Sequence, residues 1–122
     1  MSGVDFQPQR GAIALFDLNP TKGSQTSKIR PCIVVTNDVY NSRLKVIQVV
    51  PVTDWSAKKS RIVTNITLIP NKDNGLSKKS IADCLQTRPV DYTKRFIKYR
   101  GQLNLGTLQQ IDRALAIVFG LT

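Results

Sequence analysis

The hydrophobic pattern of this chain changes period once, near residue 104, and no other feature limits the fold as much. Before that point, apolar residues come in strand-length runs rich in β-branched side chains. The runs are Gly11 to Leu18, Pro31 to Asn37, Lys45 to Thr53, Ile62 to Leu68, Ser80 to Leu85 and Phe96 to Leu103. Such runs suit a pleated, half-buried surface. Beyond it, Leu105, Leu108, Ile111, Leu115, Val118 and Phe119 recur at the spacing of one helical face. Asn104 can cap that helix and Gly120 can stop it. The pattern predicts about five to seven strands closed by one amphipathic helix. That is a mainly β fold with a C-terminal helix (α+β), arranged as a small, partly open barrel. With 122 residues and no repeat or linker, the chain reads as one domain, 1–122, with residues 1–9 as a loose terminus.

Individual runs carry more detail. Pro31 to Asn37 is almost wholly apolar, as expected of a strand covered on both faces. Pro51 cannot donate to a ladder, so the run Lys45 to Thr53 should contain a bulge or lie at an edge. Asn19 to Ile29, with Pro20, Gly23 and Ser24, reads as a long polar loop, and Asp38 to Arg43 and Asp54 to Ser60 as shorter ones. Asn71 to Gly75 ends in the Asn-Gly of a turn. The helix stripe reads as core or dimer contact.

Composition removes whole classes of chemistry. The chain has no histidine and no glutamate, and all eight acids are aspartates. Imidazole acid–base catalysis and the usual zinc sites are therefore excluded, and no metal or cofactor is expected. The two cysteines, Cys32 and Cys84, sit in apolar runs and read as buried, reduced thiols. No apolar run is long enough to cross a membrane, and the first ten residues do not resemble a signal peptide, so a cytoplasmic protein is expected. The net charge of +10 suits a polyanion or an acidic protein partner.

Four segments, in order and at matching spacing, resemble the MazF/PemK toxin family. The first is Arg10-Gly11 with Phe16-Asp17-Leu18-Asn19-Pro20-Thr21-Lys22-Gly23-Ser24. The second is Ile29-Arg30-Pro31 with Thr36-Asn37-Asp38, and the third is Val49-Val50-Pro51-Val52-Thr53. The fourth is Gly75-Leu76, Ser80 to Cys84 and Gln86-Thr87-Arg88 with Asp91. The ending Ile111-Asp112-Arg113-Ala114-Leu115 with Gly120-Leu121 is similar to the family's last helix. The resemblance implies an SH3-like barrel of the PemK/CcdB type and a homodimer. It also implies an endoribonuclease that cuts single-stranded RNA at short sequences, and inhibition by a cognate antitoxin that occupies the RNA groove. Three positions depart from the pattern: Ala12 and Leu85 stand where acids are usual, and Gln25 where a glutamate is usual.

Metal-free RNA cleavage uses the neighbouring 2′-hydroxyl as nucleophile and needs three services. Its proton must be accepted, the crowded anionic phosphorus must be stabilised, and the departing 5′-oxygen must be protonated. Arg30 offers a flat fork of donors matched to phosphate oxygens. Pro31 biases it toward extended backbone. Thr53 carries a hydroxyl at a strand end, able to donate to a phosphate oxygen or relay a proton. The family match makes these two the expected catalytic residues. Ser24 and Gln25 in the long loop, with Gln86, Arg88, Asp17 and Trp55, are the expected substrate-binding residues. Gln86 and Arg88, two apart, should share one face of a strand. Trp55 and Tyr40 are loop aromatics that can stack bases or serve as packing lids. Asp17 or a bound water is left as proton acceptor, because arginine stays charged at neutral pH. Two other readings remain on the same barrel: a CcdB-like toxin that poisons gyrase without catalysis, and a small nucleic-acid-binding module.

Overall fold

The computed structural model describes residues 5–20 and 28–121. Ser24 and Gln25 lie outside the described residues. The strands are β1 (Ala12–Asp17), β2 (Ile29–Val34), β3 (Val46–Asp54), β4 (Asn65–Leu68), β5 (Ser80–Asp83), β6 (Arg88–Asp91) and β7 (Phe96–Gln102). Three helices of four residues, α1 (Asp38–Asn41), α2 (Ala57–Ser60) and α3 (Tyr92–Arg95), precede the long α4 (Leu105–Val118). All pairings are antiparallel, in the order β4-β5-β3-β2-β1-β7, with β6 also paired to β3. Among the described residues β4 and β7 do not pair, so the curled sheet stays open, as the pattern predicts.

Both faces of the central strands are buried, for the reason the sequence suggests. β2 lies between β1 and β3, and Cys32, Ile33 and Val34 are fully buried. Alternation along the strands sorts the core in two. Ile13, Ile33, Val50 and Val52 face α4, whose Ile111 and Ala114 complete that cluster. Ala14, Phe16, Cys32, Val34, Ile47 and Val49 face the other way. That second face is covered by an aromatic group in which Phe6 stacks on Phe96 at 4.3 Å and meets Phe16 and Tyr92 edge-on. The N-terminal segment is therefore not loose throughout. Its described part, residues 5–9, is irregular but packed, because Phe6 covers apolar surface that no strand or helix covers.

Several local expectations need correction. β3 is neither bulged nor an edge at Pro51. It pairs with β6 over Val46–Val49 and with β5 over Val52–Asp54, and Pro51 falls in the gap between those partners, where a missing N–H leaves no bond unmade. The run from Ile62 is strand only from Asn65. Ser56 caps α2, and the bonds Ile62 N–H to Lys59 O and Asn65 N–H to Ile62 O wind the chain into turns first. β5 stops at Asp83 because residues Cys84–Gln86 form a 3₁₀ turn, so Gln86 and Arg88 do not share a strand. Asp38 to Arg43 is not simply a loop but contains α1, capped by Asn37. The helix behaves as predicted. Asn104 accepts from Thr107 N–H at its start, and Gly120 (φ +69°) ends it in the left-handed region. Leu105 and Phe119 are the exceptions on its stripe and are exposed.

Candidate functional site

The gap in β3's pairing opens a cleft of about 310 Å³ with Pro51 in its lining. Five separate parts of the chain reach it. The base of the loop between β1 and β2 supplies Leu18 and Lys28, closed by the bond from Leu18 N–H to Lys28 O at 3.0 Å. The first residues of β2 supply Arg30, the end of β3 supplies Thr53, and α2 supplies Lys59. The β5–β6 corner supplies Asp83, Gln86 and Arg88. That corner is anchored at Thr87, whose hydroxyl donates to Val49 O at 3.0 Å and accepts from Gln48 Nε2 at 3.0 Å. With Thr87 turned inward, its exposed neighbours Gln86 and Arg88 both reach the cleft without sharing a strand.

The cleft is strongly cationic. Lys28, Arg30, Lys59 and Arg88 line it, against one carboxylate, Asp83. Lys59 Nζ lies 3.5 Å from Thr53 Oγ1 and donates to Asp54 O at 3.2 Å, which holds an ammonium beside the threonine hydroxyl. Cys32 lies beneath this surface, where the charges of Arg88 and Arg30 favour its thiolate. Burial outweighs both and pushes its thiol up to about 12, so it is no thiolate nucleophile at neutral pH.

Of the residues expected from sequence, Arg30, Thr53, Gln86 and Arg88 come together here. Asp17 does not line this cleft. Its Oδ1 accepts from the backbone N–H and the Nδ2 of Asn19, at 2.9 and 2.7 Å, bracing the loop base. Trp55 lies elsewhere as well. Its Nε1 donates to Thr67 Oγ1, and Lys79 Nζ sits 3.8 Å over the ring, covering one face that a base would stack on. Tyr40 is an exposed residue of α1. Lys28, Lys59 and Asp83 were not singled out from sequence. Lys59 belongs to a visible Lys58-Lys59 pair, but only the capped turn of α2 aims it. Asp83 is hidden at the end of a strand.

The family model for PemK-like, MazF-like toxins of type II toxin–antitoxin systems matches residues 9–119. The chain belongs to that toxin family. An endoribonuclease MazF from Staphylococcus epidermidis is 32% identical over 113 residues, covering 93% of this chain and 92% of the relative. Among solved structures, a MazE–MazF complex from Deinococcus radiodurans superposes with a TM-score of 0.75 at 20% identity, over 97% of this chain and 100% of that one. A mycobacterial endoribonuclease bound to its cognate antitoxin superposes with a TM-score of 0.73 at 21% identity, over 94% and 97%. These two establish the MazF fold, the open curled sheet with a closing helix described above. In this toxin Arg30-Pro31 and Pro51-Val52-Thr53 lie on two neighbouring strands, β2 and β3, which carry Arg30 and Thr53 into one cleft. No helix among the described residues is long and apolar enough to cross a membrane.

Proposed function

We propose that this toxin cuts single-stranded RNA in the cleft between β2, β3 and the β5–β6 corner, without a metal. The observation that carries this reading is the meeting of Arg30 and Thr53 with three further cations and one carboxylate. Arg30 binds two non-bridging oxygens of the scissile phosphate and gains strength as charge builds on them. The 2′-oxygen attacks phosphorus and the bond to the 5′-oxygen breaks, giving a 2′,3′-cyclic phosphate and a 5′-hydroxyl end; attack of water on the cyclic phosphate, with breakage of its bond to the 2′-oxygen, then gives a 3′-phosphate. Asp83 replaces Asp17 as the carboxylate able to accept the 2′-hydroxyl proton. The Thr53 hydroxyl, with Lys59 beside it, returns a proton to the departing oxygen. Gln86 and Arg88 hold the flanking nucleotide. DNA lacks the nucleophile, so it is bound and not cut.

The test is incubation of the pure protein with a long unstructured RNA in EDTA, followed by analysis of the new ends. Cleavage with 5′-hydroxyl ends is expected. Activity lost in EDTA and restored by magnesium would reject the mechanism. Cleavage also separates this toxin from a gyrase poison and from a simple binding module, and the match to an endoribonuclease MazF favours cleavage.

The toxin works against a cognate antitoxin, and the cationic cleft suits an acidic antitoxin segment that excludes RNA. The acting form is a cytoplasmic homodimer. Stretches 62–71, 84–87 and 114–121 contain no charged residue. They adjoin: Cys84 N–H donates to Thr64 O, and the 3₁₀ turn packs on α4. Together they expose Val63 (68%), Leu85 (63%), Ile117, Phe119 (60%) and Leu121. A polyanion or acidic peptide needs cations, which this face lacks. A second copy, repelled elsewhere by its own charge, meets no repulsion here. Leu85 adjoins Gln86, so the two clefts approach the two-fold axis.

A further inference from the structure

A second depression, of about 260 Å³, shares Arg30 and Thr53 with the cleft described above. Its floor is apolar: Leu15, Pro31 and Val52 lie on three adjacent strands, and Leu76 closes it from the loop before β5. Its rim is polar, with Ser77, Lys78 and Arg100. One Nη of Arg100 donates to Gly75 O at 2.9 Å, which fixes the guanidinium at the rim. Gly75 (φ +67°) allows this close approach, because a Cβ there would run into the Arg100 carbonyl. Lys78 is held by an exposed ion pair with Asp54 at 2.8 Å, and this lysine keeps the Asp54 carboxyl below the usual carboxylate range.

We infer that this depression is a second nucleotide subsite, holding the base next to the cut on one side while Lys78 and Arg100 take the adjoining phosphate. The inference rests on the cleavage reading above. Three features carry it. Arg30 and Thr53 stand between the two depressions, so a strand with its scissile phosphate at that pair reaches into both. An apolar floor with a polar rim suits the face and edge of an unpaired base. The cations continue from one depression to the other. Lys28, Arg30, Lys59, Lys78, Arg88 and Arg100 face only Asp54 and Asp83, so a polyanion longer than one nucleotide is attracted across the whole surface.

The test maps cut sites on a long unstructured RNA for the wild type, Ser77→Trp, Lys78→Gln and Arg30→Gln. Ser77 lies on the rim, where tryptophan fills the depression. The expected result for Ser77→Trp is about a ten-fold loss of kcat/KM and a changed base preference at a single position flanking the cut. Lys78→Gln should raise KM, steepen no preference and weaken the salt dependence. Its side chain is 67% exposed, so it keeps the proposal testable if a thermal melt shows that tryptophan unfolds the protein. Wild-type rates and preferences in both variants would overturn the subsite, and so would a loss confined to antitoxin binding. Failure of the cleavage reading would appear separately, as no cutting by the wild type or wild-type cutting by Arg30→Gln.

Discussion

Arg30→Lys isolates what the guanidinium does from what its charge does. The cleft holds four cations and one carboxylate before and after the change, since lysine retains the charge. At an effective dielectric of about 20, one charge at 4 Å from another is worth about 4 kcal/mol, and to first order that amount is common to both side chains. RNA attraction, and with it KM, should change little. The fork is what disappears. A preorganised donor set aimed at developing charge contributes about 3–4 kcal/mol, so kcat should fall by at least ~100-fold. Arg30 is exposed at the start of β2, so the fold should hold. The assay is single-turnover cleavage of a fluorescent RNA with one cut site, alongside binding of a 2′-deoxy analogue. A kcat within a few-fold of wild type, or a loss residing wholly in KM, would refute the role given to the fork.

Asp83→Asn should slow cleavage by ~100-fold or more, as loss of a general base does, whereas Asp17→Asn should mainly lower thermal stability. Equal kinetic effects from the two would remove Asp83 from its role. Leu85→Arg adds a charge to the charge-free face and should turn the dimer into a monomer by light scattering, while an unchanged dimer would place the interface elsewhere. Non-cleavable RNA titrated into the toxin–antitoxin complex should bind only as antitoxin leaves, with both affinities falling as salt rises; a ternary complex of undiminished affinity would contradict a shared groove. Burial raises both Cys32 and Cys84 from 9.0 to about 12. The folded state thus holds protons that the unfolded chain releases, and this contribution to stability is full below pH 9 and lost as pH rises toward 12. Denaturant melts at pH 7 and 10, compared with a Cys32→Ala/Cys84→Ala variant, should show a steeper alkaline loss in the wild type.

Period and composition were enough to recover six of the seven strands, β6 being missed, together with the closing helix with its Asn104 cap and the two-sided burial of β2, because alternation and helical spacing are local and survive any packing. The absence of histidine and glutamate settled the available chemistry before any fold was known. Arg30 and Thr53 were legible through short segments whose order resembles a family. What the sequence could not express is convergence. Asp17 and Asp83 look alike as aspartates in or beside strands. Only the ladder decides that one braces the Asn19 turn while the other lines the cleft. Pro51 signals an interruption, but that it marks the split between β5 and β6, and hence the cleft itself, depends on two strands that follow it by about 30 and 37 residues. Trp55 reads as a loop aromatic until Lys79 and Thr67 are seen to occupy it. Phe6 reads as part of a loose end until the uncovered apolar face it stacks on exists. Local propensity is written in neighbouring residues, whereas a binding site is a set of distances between residues that only the folded sheet brings within reach.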